Sequence, residues 1–260
     1  MSAYNCRYTK TKPGMNGRVD AGPWAEAEWS PRFVDMVTGA PGWWDTRAAA
    51  LWDEEALYVG FRVEEPFVRA ELTERDSLIF QENDIELFID GGDWYYELEV
   101  NARNTLYEVL FVWKDSPLLA WPEFDPRGRE ALTFGGDYDR KPGSFWRGTH
   151  PRGPRWAFLD WDYPGLRSAV WVDGTLNDDT DIDRGWSVTL ALPWAGLRDL
   201  SGGRVLPPAE GEEWRMFFGR FQKLEAGGRE IEPHPAWCWT PHGVYDTHLP
   251  ERFTRVRFSR

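Results

Sequence analysis

Cysteine and histidine are scarce, at 2 and 4 of 260 residues. The two cysteines, Cys6 and Cys238, exclude a disulfide scaffold and a cysteine-ligated zinc domain. Sequence leaves open whether they pair or stay as buried thiols. The histidines, His150, His234, His242 and His248, match no zinc spacing. Lys plus Arg number 30 against 43 Asp plus Glu, a net charge of −13. Such a surface repels phosphate and predicts no nucleic-acid partner. No apolar run approaches the roughly 20 residues of a membrane helix, so no membrane partner is predicted. The opening MSAYNCRYTKTKPGMNG has no apolar core. For the chain as written this predicts a cytoplasmic location, or a secreted or periplasmic one where a leader has been removed. Helical periodicity is also missing, because no segment keeps an apolar 3.6-residue repeat for roughly ten residues.

Tryptophan, by contrast, is abundant at 17 residues, within an aromatic content of 16%, and Gly and Pro number 25 and 19. Short period-2 runs recur: Leu57–Val63, Asp84–Asp90, Tyr95–Asn101, Thr105–Trp113, Ser168–Leu176, Trp186–Leu192, Trp214–Gln222 and Phe253–Phe258. Short strands between turn residues predict an all-β, antiparallel sandwich, jelly-roll-like, with long irregular loops and little helix. Residues 1–260 read as one domain. Pro193–Leu197 fits a single helical turn with Pro at its start. Asp115–Arg167 is rich in Pro, Gly and Arg but carries Trp121, Trp146, Trp156 and Trp161, so it is expected to be an ordered loop region. Trp43 and Trp44 are expected to pack, and Met36 and Met216 to lie in the core.

Hydrophobic matching sets a register for the Asp84–Asp90 and Tyr95–Asn101 segments, joined through Gly91-Gly92-Asp93-Trp94. Ile85 meets Val100, Leu87 meets Leu98 and Ile89 meets Tyr96, so Glu86 falls opposite Glu99 and Asp84 opposite Asn101. Extending the argument to the next strand, with Tyr107, Val109 and Phe111 inward, sets Glu108 opposite Glu99. The expectation is a row Glu86–Glu99–Glu108 on the non-core face. Like charges directly opposite cost up to about 1 kcal/mol per pair, so a cation, a basic side chain or a hydroxyl-rich ligand should offset them. Carboxylates accept hydroxyl protons in charge-assisted hydrogen bonds, and aromatic faces pack on pyranose C–H groups.

The chain resembles the family 9 carbohydrate-binding modules. The resemblance rests on Asp20, Trp24 and Ala27, AALWD from Ala49, LYVGFRVEEPFV from Leu57, NDIELFID from Asn83 and YYELEVNARNT from Tyr95. It continues in GTLNDDTDIDRGW from Gly174, LPWAGL from Leu192, GEEWRMFFGR from Gly211 and THLPERFTRVRF from Thr247. It spans nearly the whole chain outside Asp115–Arg167. It implies a β-sandwich that binds a mono- or oligosaccharide without cleaving it. Glu86, Glu99 and Asn101 would be the polar contacts, with Glu108 in their row. One stacking aromatic corresponds to Phe80. The second falls at Thr247 or His248, so Trp237, Trp239 or Tyr245 would stand in. Glu99 stands where the family choice looks basic.

The resemblance also implies structural calcium, near Glu65, Asp76, Asn83 and Asp84, with Glu65 and Asp84 as ligands. The acidic run Asn177–Asp183 lacks the Gly and distal Glu of an EF-hand and reads as a solvated turn. Two alternatives remain beside sugar binding. One is a haem-binding redox sandwich. The other is a carbohydrate-active hydrolase, since carboxyls on adjacent strands fall near the separation glycosidases use.

Overall fold

The period-2 segments become strands because each buries one row of side chains while its backbone groups pair with neighbours. The structure is a computed structural model, described here for residues 3–135 and 150–260. Pro142 and Trp146 of the expected loop region lie outside the described residues. The strands are β1 (Tyr4–Tyr8), β2 (Val34–Asp35), β3 (Thr46–Trp52), β4 (Ala56–Glu64), β5 (Asp84–Asp90), β6 (Trp94–Asn101), β7 (Leu106–Trp113) and β8 (Ala131–Phe134). They continue with β9 (Arg155–Phe158), β10 (Arg167–Asp173), β11 (Gly185–Pro193), β12 (Glu213–Phe221), β13 (Glu225–Ala226), β14 (Arg229–Glu230), β15 (Ala236–Cys238) and β16 (Thr254–Ser259). Among the described residues helix is limited to short 3₁₀ turns, one of them Trp194–Leu197 as expected, and none is long and apolar enough to cross a membrane.

One continuous sheet runs β10-β11-β4-β3-β1-β16-β12-β5-β6-β7-β9-β8, with β15 joined to β12 and β2 to β15. Its pairings are antiparallel except at the corner, where β1 lies parallel to both β3 and β16. The sheet folds over on itself. Ala48, Leu57, Val59, Phe61, Val188 and Leu190 from one half meet Ile85, Leu87, Leu98, Leu110, Met216 and Phe218 from the other in a single buried cluster. A second apolar layer covers the outer side of β12-β5-β6-β7, where Phe88, Tyr95, Tyr107, Val109, Phe111 and Phe217 pack beneath Met36, Ile79, Ala236, Cys238 and Phe253. The β5–β6–β7 block is therefore buried on both faces, with every residue of β6 buried.

The β5–β6 hairpin has the register expected from hydrophobic matching, including Glu86 opposite Glu99 and Asp84 opposite Asn101. Its turn demands glycine. Gly92 has φ +85°, and a Cβ on Gly91 would lie 2.0 Å from the Trp94 ring. Asp90 Oδ1 accepts from the Gly92 N–H at 2.8 Å and closes the turn.

Within Asp115–Arg167, the described part supplies β8 and β9, which extend the sheet beyond β7, and two 3₁₀ turns, Pro117–Ala120 and Pro122–Phe124. Met36 and Met216 are buried as expected, and Cys6 and Cys238 are free, buried thiols. Of the adjacent tryptophans, Trp44 packs edge-on to Trp237 while Trp43 is 61% exposed, against the expectation that both would pack.

Candidate functional site

The register that seals Leu87 and Leu98 inside turns Asp84 and Glu86 of β5, and Glu97 and Glu99 of β6, to the outer face. All four are buried, with exposures of 0, 3, 4 and 1%. One carboxylate oxygen each from Asp84, Glu86 and Glu99 lies within 4.8 Å of the other two. Donors are few. The Phe221 N–H donates to Asp84 Oδ1 at 3.3 Å, and the Glu99 carboxyl donates to Glu97. Among the described residues, Oδ2 of Asp84 and Oε2 of Glu86, Glu97 and Glu99 have no hydrogen-bond partner. An unpartnered buried polar atom costs about 1–3 kcal/mol, and more when charged. Burial, reinforced by mutual repulsion, pushes Asp84, Glu86 and Glu99 well above the usual carboxylate range. Burial also pushes Glu97 up to about 8, against the opposing pull of its hydrogen bond from Glu99 and of Arg155.

Aromatic side chains border the acids. Tyr107 lies directly opposite Glu99 on β7, and Phe80 meets the Tyr107 ring edge-on at 5.7 Å. Phe221, opposite Asp84 on β12, meets Tyr245 edge-on at 6.0 Å. The Tyr245 hydroxyl donates to the His234 carbonyl at 2.8 Å, and its pKa is raised by burial and then by the charges of Glu86, Glu232 and Asp84. Phe80, Phe221 and Tyr245 are half-buried and form the rim of the acid-lined face.

The expected row is corrected at Glu108. β7 pairs with Leu98 opposite Glu108 and Glu99 opposite Tyr107, one residue from the expected register. A one-residue slip reverses every side chain, so Glu108 enters the inner core. There it accepts from the Tyr96 hydroxyl, from the Tyr163 N–H at 2.9 Å and from the Arg75 guanidinium. Alternation could not fix this strand, because Leu106, Leu110 and Val112 are as apolar as Tyr107, Val109 and Phe111. Glu97 takes its place on the outer face, and its position two residues before Glu99 was the available signal.

Both stacking tryptophans are corrected as well. Trp237 belongs to the inner core, 2% exposed, beside Trp43 and Trp44 and over the Arg220 guanidinium. Trp239 packs on Tyr4 at 4.6 Å and Phe218 at 5.0 Å. Of the expected aromatics, Phe80 and Tyr245 border the acids, Tyr245 from the loop after β15. Asn101 lies opposite Asp84 as expected, but its amide is committed. Nδ2 donates to the Leu72 carbonyl and to Glu82, and Oδ1 accepts from the Arg103 and Thr105 N–H groups.

Glu65 and Asp84, the expected calcium ligands, are not brought together. Glu65 accepts from Asn83 Nδ2 at 2.6 Å, Trp186 Nε1 at 2.7 Å, Gln222 Nε2 at 3.3 Å and Arg220 Nη2 at 3.5 Å, which fills both its oxygens with donors. Asp84 groups instead with Glu86 and Glu99. A set of three buried carboxylates with open oxygens fits a hard cation, whereas the donor-saturated Glu65 does not. In the acidic run, Asp179 and Asp181 are exposed and Asp178 is half-buried, in keeping with a solvated turn, while Asp183 is buried and accepts from the Val68 and Thr175 N–H groups.

No family model matches the chain, and no curated protein is similar to it in sequence. Solved structures do match it. A family 9 carbohydrate-binding module from Caldicellulosiruptor kristjanssonii in complex with cellotriose is 14% identical, with 98% of this chain and 93% of that one aligned at TM-score 0.53. The same organism's module in complex with glucose also matches at 14% identity and TM-score 0.53, over 98% and 96%. A protein from Bacteroides uniformis, provisionally described as carbohydrate-binding, matches at 14% identity and TM-score 0.57, over 99% and 100%. The likeness runs over the whole length of the chain and establishes the fold, a β-sandwich of this kind.

Proposed function

We propose that this β-sandwich binds a mono- or oligosaccharide without cleaving it, at the outer face bearing Glu86, Glu97 and Glu99. One observation carries the reading. The face holds carboxylate oxygens with no donor, framed by the half-buried rings of Phe80, Phe221 and Tyr245. A sugar brings what such a face lacks, hydroxyl donors at its rim and C–H groups on its faces for aromatic contact. The shared fold supports it, since two of the matching structures hold cellotriose and glucose.

Calorimetric titration with glucose and cellotriose, preceded by a glycan array, tests the reading. The expected result is measurable binding that falls at least 10-fold in Glu86→Gln and in Phe80→Ala, with melting curves preserved. Unchanged affinity in both variants would remove this face as the site. Reducing sugar released from an oligosaccharide by the wild type, and not by Glu86→Gln, would replace binding with hydrolysis.

A further inference from the structure

The acid cluster raises a problem of charge that a neutral sugar does not solve. Asp84, Glu86 and Glu99 lie on neighbouring positions of one hairpin, all at least 97% buried, each with an oxygen that no described residue satisfies. Glu97 adds a fourth such oxygen two residues away on the same strand face. Among the described residues no cationic side chain bonds any of them. Arg220, on the strand beside β5, points to the inner face and donates to Thr46, the Glu64 carbonyl, Gln222 and Glu65. Arg155 donates to the Tyr95 hydroxyl and the His248 carbonyl and stacks on Trp113 and Phe134. Isolated buried carboxylates are costly, and such groups are paired, hold protons or coordinate metal.

The geometry suits the last of these. We propose that Asp84, Glu86 and Glu99 form a binding site for a divalent, calcium-sized cation, with Glu97 contributing charge beside it. Calcium ligands stand roughly 2.3–2.6 Å from the ion, so any two oxygens on it are at most roughly 5.2 Å apart. The three oxygens, all within 4.8 Å of one another, are close enough to share one such ion. Magnesium keeps several waters and is seldom held in an all-protein cage, so a set of three carboxylates suits it less. Carboxylates that bind in bidentate fashion supply most of the roughly six to eight oxygens calcium takes. The site differs from the expected Glu65–Asp84 pair, and it stands or falls separately from the sugar reading, because it needs no saccharide.

The test uses the whole chain without sugar. Protein exposed to calcium, then desalted, is expected to retain about one equivalent by elemental analysis. Calcium is expected to raise its melting temperature over chelator-treated protein by on the order of 5 °C or more at saturation. Magnesium is expected to do less. In Glu86→Gln/Glu99→Gln that equivalent and the calcium-dependent shift are both lost, and Asp178→Asn, on the exposed turn, retains both. Wild-type protein that retains no metal and melts identically in calcium and chelator overturns the proposal, even where the double variant does not fold, and leaves the acids protonated. Retention of the equivalent by the double variant also overturns it and moves the ion elsewhere. A blank glycan array with an intact calcium response would sink only the sugar reading.

Discussion

Glu65 and Glu108 on one side of the β5–β6–β7 block, and Glu86 and Glu99 on the other, are equally buried glutamates with opposite surroundings. On the inner side each oxygen has a donor. Glu65 is ringed by Asn83, Trp186, Gln222 and Arg220, and Glu108 by Tyr96, Tyr163 and Arg75. On the outer side Glu86 and Glu99 each keep an oxygen that has no partner among the described residues. Burial alone therefore does not separate a structural acid from a functional one. The count of donors separates them, and it is the difference on which the proposed site on the outer face rests.

The harshest way to break the comparison is to remove an inner donor. Arg220→Met leaves Glu65 buried beside a neutral side chain and should cost about 3–5 kcal/mol, read by urea denaturation. A Glu86→Gln variant as unstable as Arg220→Met, measured in chelator, would erase the distinction. A milder test is pH. The unfolded chain ionises Glu97 near the ordinary glutamate value, whereas the folded chain holds its proton up to about 8. The folded state thus binds more protons across that interval, and stability falls as pH rises. Between pH 6.5 and 8, Glu97 alone should remove roughly 2 kcal/mol from chelator-treated protein, since each pH unit there costs about 1.4 kcal/mol per proton held. Asp84, Glu86 and Glu99, also raised by burial, deepen the loss. Above pH 6.5 His248, whose pKa burial and then Arg155 depress, is neutral in folded and mostly neutral in unfolded chains and adds little. A stability that rises over this interval would show the outer acids to be ionised and compensated already. The smallest effect is expected from Glu108→Gln, about 1 kcal/mol of stability, with saccharide affinity by calorimetry unaltered. A loss of affinity there would show that the inner and outer faces communicate.

Most of the architecture was legible from alternation. Asp84–Asp90 matched β5 in both bounds, and the β5–β6 register followed because three apolar residues on each strand could face inward in only one way. β7 was not legible, since apolar residues on both sides of it erase the period, and the glutamate in its middle is inside only because Tyr96, Tyr163 and Arg75 are brought there from distant segments. The same limit applies to β15. A three-residue strand buried on both faces gives no hint that Trp237 turns inward and Cys238 outward. The pairing of Glu86 with Glu99 was legible because the hairpin is local in sequence. Phe221 reaches the candidate face through tertiary contacts that no spacing encodes, and Tyr245 was one of three stand-ins that sequence alone could not choose between. The Glu65–Arg220 pair also joins segments 155 residues apart.

The corner strand has a consequence for how the molecule is made. β1 is paired in parallel on one side to β3 and on the other to β16, so Tyr4 meets Val256. Contacts between such distant positions form slowly, and this one cannot form until the segment carrying Val256 has emerged from the ribosome. Until then the half of β12 that later pairs with Thr254–Arg257 is a bare edge open to other chains. Synthesis thus passes through a stage, before β16 pairs, in which the open edge of β12 is exposed to self-association, and the pairing of β16 ends it.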